Sequence, residues 1–394
     1  MKQIFSYIKT FIKFFLHNII DFFVFLQCRI KKNQIRQNIK QILLIRLDAI
    51  GDYILFRNFI EVFRKNSKYS DYKITLLGNM VWKDLAENLD KNYIDDFIWI
   101  DIKKFSRNLF YRYKKLIEIT SNNYELLIHP TYSRTYDADR IVKIANAKIK
   151  IGSTGDLSNV KKWQKKISDK YYTFLISVKN EIMFEFYRNK EFFEKLLDEE
   201  IKILKPCIKI PENYDFSLKL PDLDYVVLFI SAYSDIRKWS VRNFAELAKW
   251  IKNNLNYEIV LCGGKEDMKE VNIFEKIYGN SYLNLIGKTT LTDLIFILKN
   301  SKMIVSNETF IPHMAVALGL KSIFVISNGN HFGRFIPYPS EITTSYFPIY
   351  HPEIGRDLKN YKILSNTYGY GSKLDINGIS TEDVIDKIKI GMKI

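Results

Sequence analysis

The chain has 394 residues, 47% hydrophobic and 26% charged; it is too long for one ordinary core and too apolar to be mainly disordered, so two domains plus an extension are expected. Its formal charge of +16 implies an anionic partner, but 46 of its 60 basic residues are Lys. Base and phosphate reading leans on Arg, so the excess points to an acidic surface or a phosphorylated substrate rather than to sequence-specific nucleic-acid binding.

Residues 1–39 carry seven Lys or Arg and one Asp, +6 of the total. At 100° per residue, Lys2, Gln3, Ser6, Lys9, Thr10, Lys13 and His17 share one arc, while Ile4, Ile8, Phe11, Ile12, Phe15, Leu16 and Ile19 lie opposite. Ile20 and Val24 intrude on the polar arc. Lys13, His17, Asn18 and Asp21 interrupt the run needed for a transmembrane span, and no small-residue cleavage site follows. A basic amphipathic helix lying on an anionic membrane accounts for both the phenylalanines and the lysines. The alternative is a helix packed on the protein's own surface.

From residue 40 the pattern is strand, turn, helix, repeated. Strands are expected at Gln41–Leu47, Lys73–Leu77, Asp96–Ile100 and Glu125–Ile128, with helices running to about Lys65, around Trp82–Leu89 and over Leu109–Thr120. A long amphipathic stretch covers Ser177–Leu204, and Pro206, Pro211 and Pro221 mark a linker over 206–224. A clearer series follows: strands Tyr225–Ile230, Glu258–Leu261, Tyr282–Leu285, Met303–Val305 and Ser322–Ile326 alternate with helices at Val241–Asn254, Glu266–Tyr278, Leu291–Asn300 and His313–Leu318. Alternation of this kind predicts α/β domains with parallel sheets, here 40–205 and 225–340, followed by a tail over 341–394 with a last helix at Thr381–Met392. Cys28, Cys207 and Cys262 are widely separated, which excludes a disulfide framework and a cysteine-rich zinc site and fits a reducing compartment.

Ligands of such sheets bind beyond the carboxyl ends of the strands, so the strand-to-helix turns carry the candidate chemistry. In Arg46-Leu47-Asp48-Ala49-Ile50-Gly51-Asp52, Gly51 permits close approach at a helix start where Asp52 either faces the cleft or simply caps the helix. Arg237 and Lys238, after the Tyr225–Ile230 strand, can neutralise a diphosphate. Gly263 and Gly264 permit a tight turn beside a ligand, and Glu266 can take ribose hydroxyls. The run Ser306-Asn307-Glu308-Thr309-Phe310-Ile311-Pro312-His313 brings an acid, a hydroxyl and an imidazole to the positive end of a small-residue helix. Gly329 to Arg334 could close on a phosphate. Asp137-Ala138-Asp139 matches a D-x-D metal motif but sits ahead of a helix rather than between strands, and is set aside.

These turns, in this order, resemble glycosyltransferase family 9, the ADP-heptose:lipopolysaccharide heptosyltransferases, over roughly residues 41–335. The resemblance puts Asp52 at the catalytic base of the family's S-x-G-D element and Arg237, in Arg237-Lys238-Trp239-Ser240, at its donor-phosphate lysine. It relates Gly263-Gly264-Lys265-Glu266 to G-G-x-x-E, and Gly287-Lys288-Thr289-Thr290-Leu291 to an element near the adenine. Ser306 to Gly319 is similar to S-N-D-T-G-x-x-H-x-A-A-A-L-G, with Glu308 replacing Asp and Phe310 replacing Gly.

The resemblance implies a GT-B architecture, two Rossmann-like domains facing across a cleft, with the final helix crossing back to the first domain. It implies metal-independent inverting transfer with no cofactor: Asp52 as general base, and Gly51, Arg237, Lys238, Gly263, Glu266, Thr289, Glu308, Thr309, Phe310, His313 and Arg334 around the nucleotide-sugar donor. The expected partners are ADP-heptose, a glycolipid or lipid-linked glycan acceptor such as a lipopolysaccharide core, and the inner face of the cytoplasmic membrane, but no nucleic acid. A transferase using another nucleotide sugar, favoured by Phe310, and a non-catalytic glycan-binding protein of the same fold are the alternatives.

Overall fold

The computed structural model describes residues 15–27 and 40–394. The basic arc from Lys2 to Lys13, and Cys28, lie outside the described residues.

Two six-stranded parallel sheets form the body. The first contains β1 (Gln41–Arg46), β2 (Lys73–Asn79), β3 (Asp96–Ile100), β4 (Tyr124–His129), β5 (Ala147–Ser153) and β6 (Phe174–Ile176) in the order β3-β2-β1-β4-β5-β6. The second contains β7 (Tyr225–Phe229), β8 (Glu258–Cys262), β9 (Leu283–Asn284), β10 (Met303–Asn307), β11 (Ile323–Ser327) and β12 (Tyr346–Tyr350) in the order β12-β11-β10-β7-β8-β9. Read from its other edge, the second sheet repeats the first. Each is a doubly wound Rossmann sheet, with its topological switch between β1 and β4 or between β7 and β10. The apolar runs of β1 and β7 are buried on both faces, as a parallel sheet covered by helices requires.

Helices α2 (Ile50–Phe56), α3 (Asn58–Lys65), α4 (Lys83–Leu89), α5 (Ile102–Arg107), α6 (Leu109–Thr120), α7 (Tyr136–Ile144), α8 (Lys162–Ser168) and α9 (Glu185–Leu197) belong to the first half. The second half carries α10 (Val241–Leu255), α11 (Met268–Tyr278), α12 (Leu291–Lys299), α13 (Phe310–Ala317), α14 (Pro352–Gly355), α15 (Tyr361–Tyr368) and α16 (Thr381–Met392). Residues 15–27 form α1, ahead of the first sheet.

Three expectations need correction. The stretch 177–204 is helical only over α9. Its first residues are drawn away from the helix and run along the C-terminal tail, where Ile182 packs near Gly333 and Gly369, and Asp198 ends the helix in the left-handed conformation. Asp137 and Asp139 lie inside α7, not ahead of it. Asp139 is buried and accepts from the Tyr172 hydroxyl at 2.6 Å, whereas Asp137 pairs with Arg112 at 3.0 Å, so the two carboxylates serve separate contacts.

The last helix does not cross back to the first domain. Val384 and Ile388, one turn apart on α16, are buried in the core of the second sheet, and Gly391 lies against Phe324 and Phe347. Trp239 closes this contact by donating its indole N–H to the Ile379 carbonyl at 2.8 Å.

The halves are joined elsewhere. Thr292 donates both its backbone N–H and its hydroxyl to Asp84, each at 2.8 Å, and Arg57 donates to the Cys207 carbonyl at 2.6 Å. α2 and α13 pack directly on each other: a Cβ on Gly51 would lie 3.0 Å from His313 Cδ2 and 3.7 Å from Phe310 Cα. Glycine is needed there for the two helix starts to meet.

Candidate functional site

The two switch points meet where α2 packs on α13; the turn after β7 joins them through Arg237 and Glu308, and the turns after β4 and β11 through Ser133 and Arg334. On the first-domain side, Asp52 is the third residue of α2 and half-buried. Around it lies a cluster that sequence reasoning left unassigned. The fully buried Arg46 lies against Asp48 (Nε···Oδ2 2.7 Å) and Glu185 (3.3 Å), and donates to the Asn189 amide oxygen at 2.8 Å.

Two carboxylates thus pair with one guanidinium, and Asp52, whose backbone carbonyl accepts from Arg46 at 3.5 Å, adds a third negative charge nearby. Burial, with repulsion from Asp48 added, pushes Asp52 up to about 7 against the opposing pull of Arg46 and Arg334. Burial likewise raises Asp48, to about 6, although Arg46 opposes it, and Glu185 rises for the same reason. Titration of such a cluster belongs to the group rather than to one member. The signal for Glu185 was present in the sequence: Glu185 and Asn189, one turn apart, lie on the stripe of α9 that continues as Phe192, Phe193 and Leu196, where an acid and an amide need partners.

On the second-domain side, Arg237 and Lys238 diverge: Arg237 ends a 3₁₀ turn over Asp235–Arg237, and the chain becomes extended at Lys238. Arg237 reaches Glu308, donating to its carbonyl and approaching its carboxylate at 3.5 Å. Its Nε is buried without a partner among the described residues, a donor left for a ligand. Lys238 turns the other way and is held by Asp267 and Glu270. Its charge is spent inside the fold, which departs from its expected place beside the donor diphosphate.

The Gly263 turn is closed by Asp267, which accepts from the Gly264 N–H at 3.0 Å and from the Ser231 hydroxyl. Asp267 is buried while Glu266 is exposed at the cleft rim, and Thr289 is half-buried nearby, beyond the Gly287 N–H that donates to the Gly263 carbonyl.

Glu308 is buried, accepts from the Ser327 hydroxyl at 2.6 Å and is pushed up to about 7 by burial, with Arg237 opposing. Thr309 caps α13, its hydroxyl accepting the Ile311 N–H at 3.3 Å. Phe310 packs edge-on against Phe229 with ring centroids 5.5 Å apart, filling the space that a glycine would leave open. His313 is buried and bonded through Nδ1 to the Tyr338 hydroxyl at 2.7 Å. Burial, with Arg237 adding to it, lowers it to about 3, so it is neutral at any ordinary pH. Its Nε2/Cδ2 edge faces Gly51.

Arg334 crosses the seam. It donates to the Ser133 hydroxyl at 2.9 Å, its carbonyl accepts the Glu185 N–H at 2.8 Å, and its charge acts on both Asp52 and Glu185. Among the described residues no group of His, Cys, Asp and Glu is arranged to hold a metal ion.

Paired Rossmann-like domains are the GT-B architecture. The sequence matches the model of glycosyltransferase family 9 (heptosyltransferase) over residues 121–352. The chain belongs to that family.

Among solved structures, the fold is similar to a family 9 glycosyltransferase from Veillonella parvula DSM 2008, with 20% identity and a TM-score of 0.68 over 91% of this chain and 99% of that one. It is also similar to the E. coli heptosyltransferase WaaC with ADP, with 15% identity and a TM-score of 0.66 over 89% of this chain and 99% of that one. A third likeness is to the E. coli ADP-heptose lps heptosyltransferase II, at 15% identity and a TM-score of 0.63 over 90% and 98% of the two chains. No curated protein matches the sequence.

Proposed function

We propose that this glycosyltransferase moves heptose from ADP-heptose to a lipopolysaccharide core or a related cell-surface glycan, inverting the anomeric centre without a metal. The observation that carries the reading is Asp52, a carboxylate raised to about 7 at the first-domain switch point, one residue from the Gly51–His313 contact with the opposite domain. A base with a pKa near the working pH combines availability with proton affinity. Asp52 takes the proton of an acceptor hydroxyl. The resulting oxygen forms its bond to the anomeric carbon from the face opposite the diphosphate, and the carbon–oxygen bond to the diphosphate breaks, its electron pair leaving with the nucleotide.

The leaving charge is met by Arg237, whose buried Nε has no partner among the described residues, by the N-terminus of α13 and by the Thr309 hydroxyl, in place of a metal. Glu308 and the Nε2 edge of His313 orient the sugar, and Arg334 bridges donor and acceptor sides. Gly263, Glu266 and Thr289 border the nucleoside. Lys238 has no part in this scheme beyond fixing Asp267.

A second reading, transfer from a different nucleotide sugar, is favoured by Phe310, which narrows the pocket where the family pattern has glycine. The donor class supports action in the cytoplasm, as do Cys207 and Cys262, which are free among the described residues. Turnover screened across ADP-, GDP-, UDP- and CMP-sugars with core-oligosaccharide acceptors tests both readings. Release of ADP dependent on ADP-heptose and acceptor is the expected result; turnover of another sugar nucleotide alone replaces the first reading with the second, and turnover of none rejects both.

A further inference from the structure

α1 is packed inside out. Its inward positions are His17, Ile20, Asp21 and Val24, spaced as one helical face, and they include both apolar residues that break the polar arc of the sequence. Asp21 is 5% exposed and clamped by two buried arginines, Arg112 of α6 at 3.1 Å and Arg140 of α7 at 2.6 Å. Arg112 also pairs with Asp137, and Gln27 accepts from the Tyr113 hydroxyl at 3.2 Å. With its charged side held down, the helix turns Phe15, Leu16, Ile19, Phe22, Phe23 and Leu26 to the outside, Phe22 and Phe23 each more than half exposed. A contiguous apolar surface of this kind on a charged protein marks an interaction site.

We propose that this face docks on an anionic bilayer and lies in the interface without crossing it. No described helix is long and apolar enough to cross a membrane, and Asp21, tied to Arg112 and Arg140, holds residues 15–27 against α6 and α7. Charge selects lipid over a second copy of the chain: Lys9 and Lys13 precede the helix, and Arg29, Lys31, Lys32 and Arg36 follow it. Two such faces brought together would set like charges against each other, whereas anionic headgroups neutralise them.

Because the polar side is locked to α6 and α7, docking also orients the catalytic cleft. Asp137, one step from the clamp, is four residues beyond Ser133, which receives Arg334 at the domain seam. Four peptide links span at most about 15 Å. The clamp that holds α1 therefore lies close to the domain seam on the first-domain side. That this serves delivery of the acceptor rests on the glycolipid acceptor proposed above, whereas the lipid contact itself does not.

The test is co-sedimentation of the full chain with phosphatidylcholine vesicles, with and without phosphatidylglycerol. The wild type is expected to sediment with the anionic vesicles and to be released by added salt. The double variant Phe22→Asp/Phe23→Asp should lose partitioning on the order of 100-fold, with an unchanged thermal melt. If that variant fails to fold, Ile19→Ser/Leu26→Ser keeps the test, with a smaller loss expected. A wild type that stays in solution, or variants that bind as well as it does, overturns the proposal. So does a lipid-free dimer, seen by light scattering, that the same substitutions dissociate. Transfer to a water-soluble acceptor, measured in parallel, reports on the reaction alone: its absence counts against the proposed function and leaves the vesicle result standing.

Discussion

The mouths of the two sheets are built on the same strand order and hold opposite chemistry. After β1, three carboxylates lie around one buried arginine, and burial, with their mutual repulsion added, raises Asp48, Asp52 and Glu185 against its pull. After β7 and β10 the balance differs. One carboxylate, Glu308, faces one arginine with a free donor, beside a helix start and an imidazole that stays neutral. The first mouth is suited to taking a proton near neutral pH and the second to receiving an anion. Topology places ligands at a switch point, but the loop residues decide which chemistry occurs there.

Removing the base is the most direct way to break this contrast. Asp52→Asn should reduce the transfer rate by about 10²- to 10⁴-fold, the range for loss of a general base, while calorimetric titration shows donor affinity nearly unchanged. A fully active variant removes Asp52 from the mechanism. Next in size, Arg237→Ala should lower kcat by about 10²- to 10³-fold through loss of leaving-group stabilisation, with donor affinity falling as well. Lys238→Ala sharpens the point: it should spare the chemical step and lower the melting temperature, because the buried Asp267 loses its partner. Equal kinetic losses in both would show that the two cations act as a pair.

The pH profile separates the two mouths further. As the proposed base, Asp52 would act deprotonated, so kcat/KM should fall about tenfold per unit below an apparent pKa near 7 and level off above it. Asp48→Asn removes the neighbouring charge that raises Asp52, so the acid limb should move to lower pH. An unmoved limb would assign it to another group such as Glu308, which is also pushed to about 7. The smallest effect is expected of Phe310→Gly, which should leave stability nearly intact yet change the ratio of kcat/KM between two nucleotide sugars several-fold, the scale of reshaping an apolar contact.

The second half was legible almost residue by residue, because its strands are short continuous apolar runs closed by turn residues. β12 escaped because Pro348 interrupts it, and it survives as an edge strand, where a missing N–H costs little. In the first half β5 escaped because lysines alternate with its apolar residues. The site divided in the same way. Glu308, Thr309 and His313 could be read as neighbours because eight residues of one strand-to-helix turn carry them. Glu185 and Arg334 lie far from Asp52 in the chain, and their meeting depends on how the domains close.

By itself the sequence determined the α/β class, the parallel sheets and the turns that hold the chemistry, since periodicity and turn residues act locally. It also determined that the first helix has a polar arc and an apolar one. Only tertiary structure decided which arc faces inward, because Asp21 meets Arg112 and Arg140 only once α6 and α7 are packed. It likewise turned Lys238 away from Arg237, kept the last helix on the second sheet and raised Asp52 toward neutrality. Burial and charge pairing depend on distances in space, which neighbours in sequence do not specify.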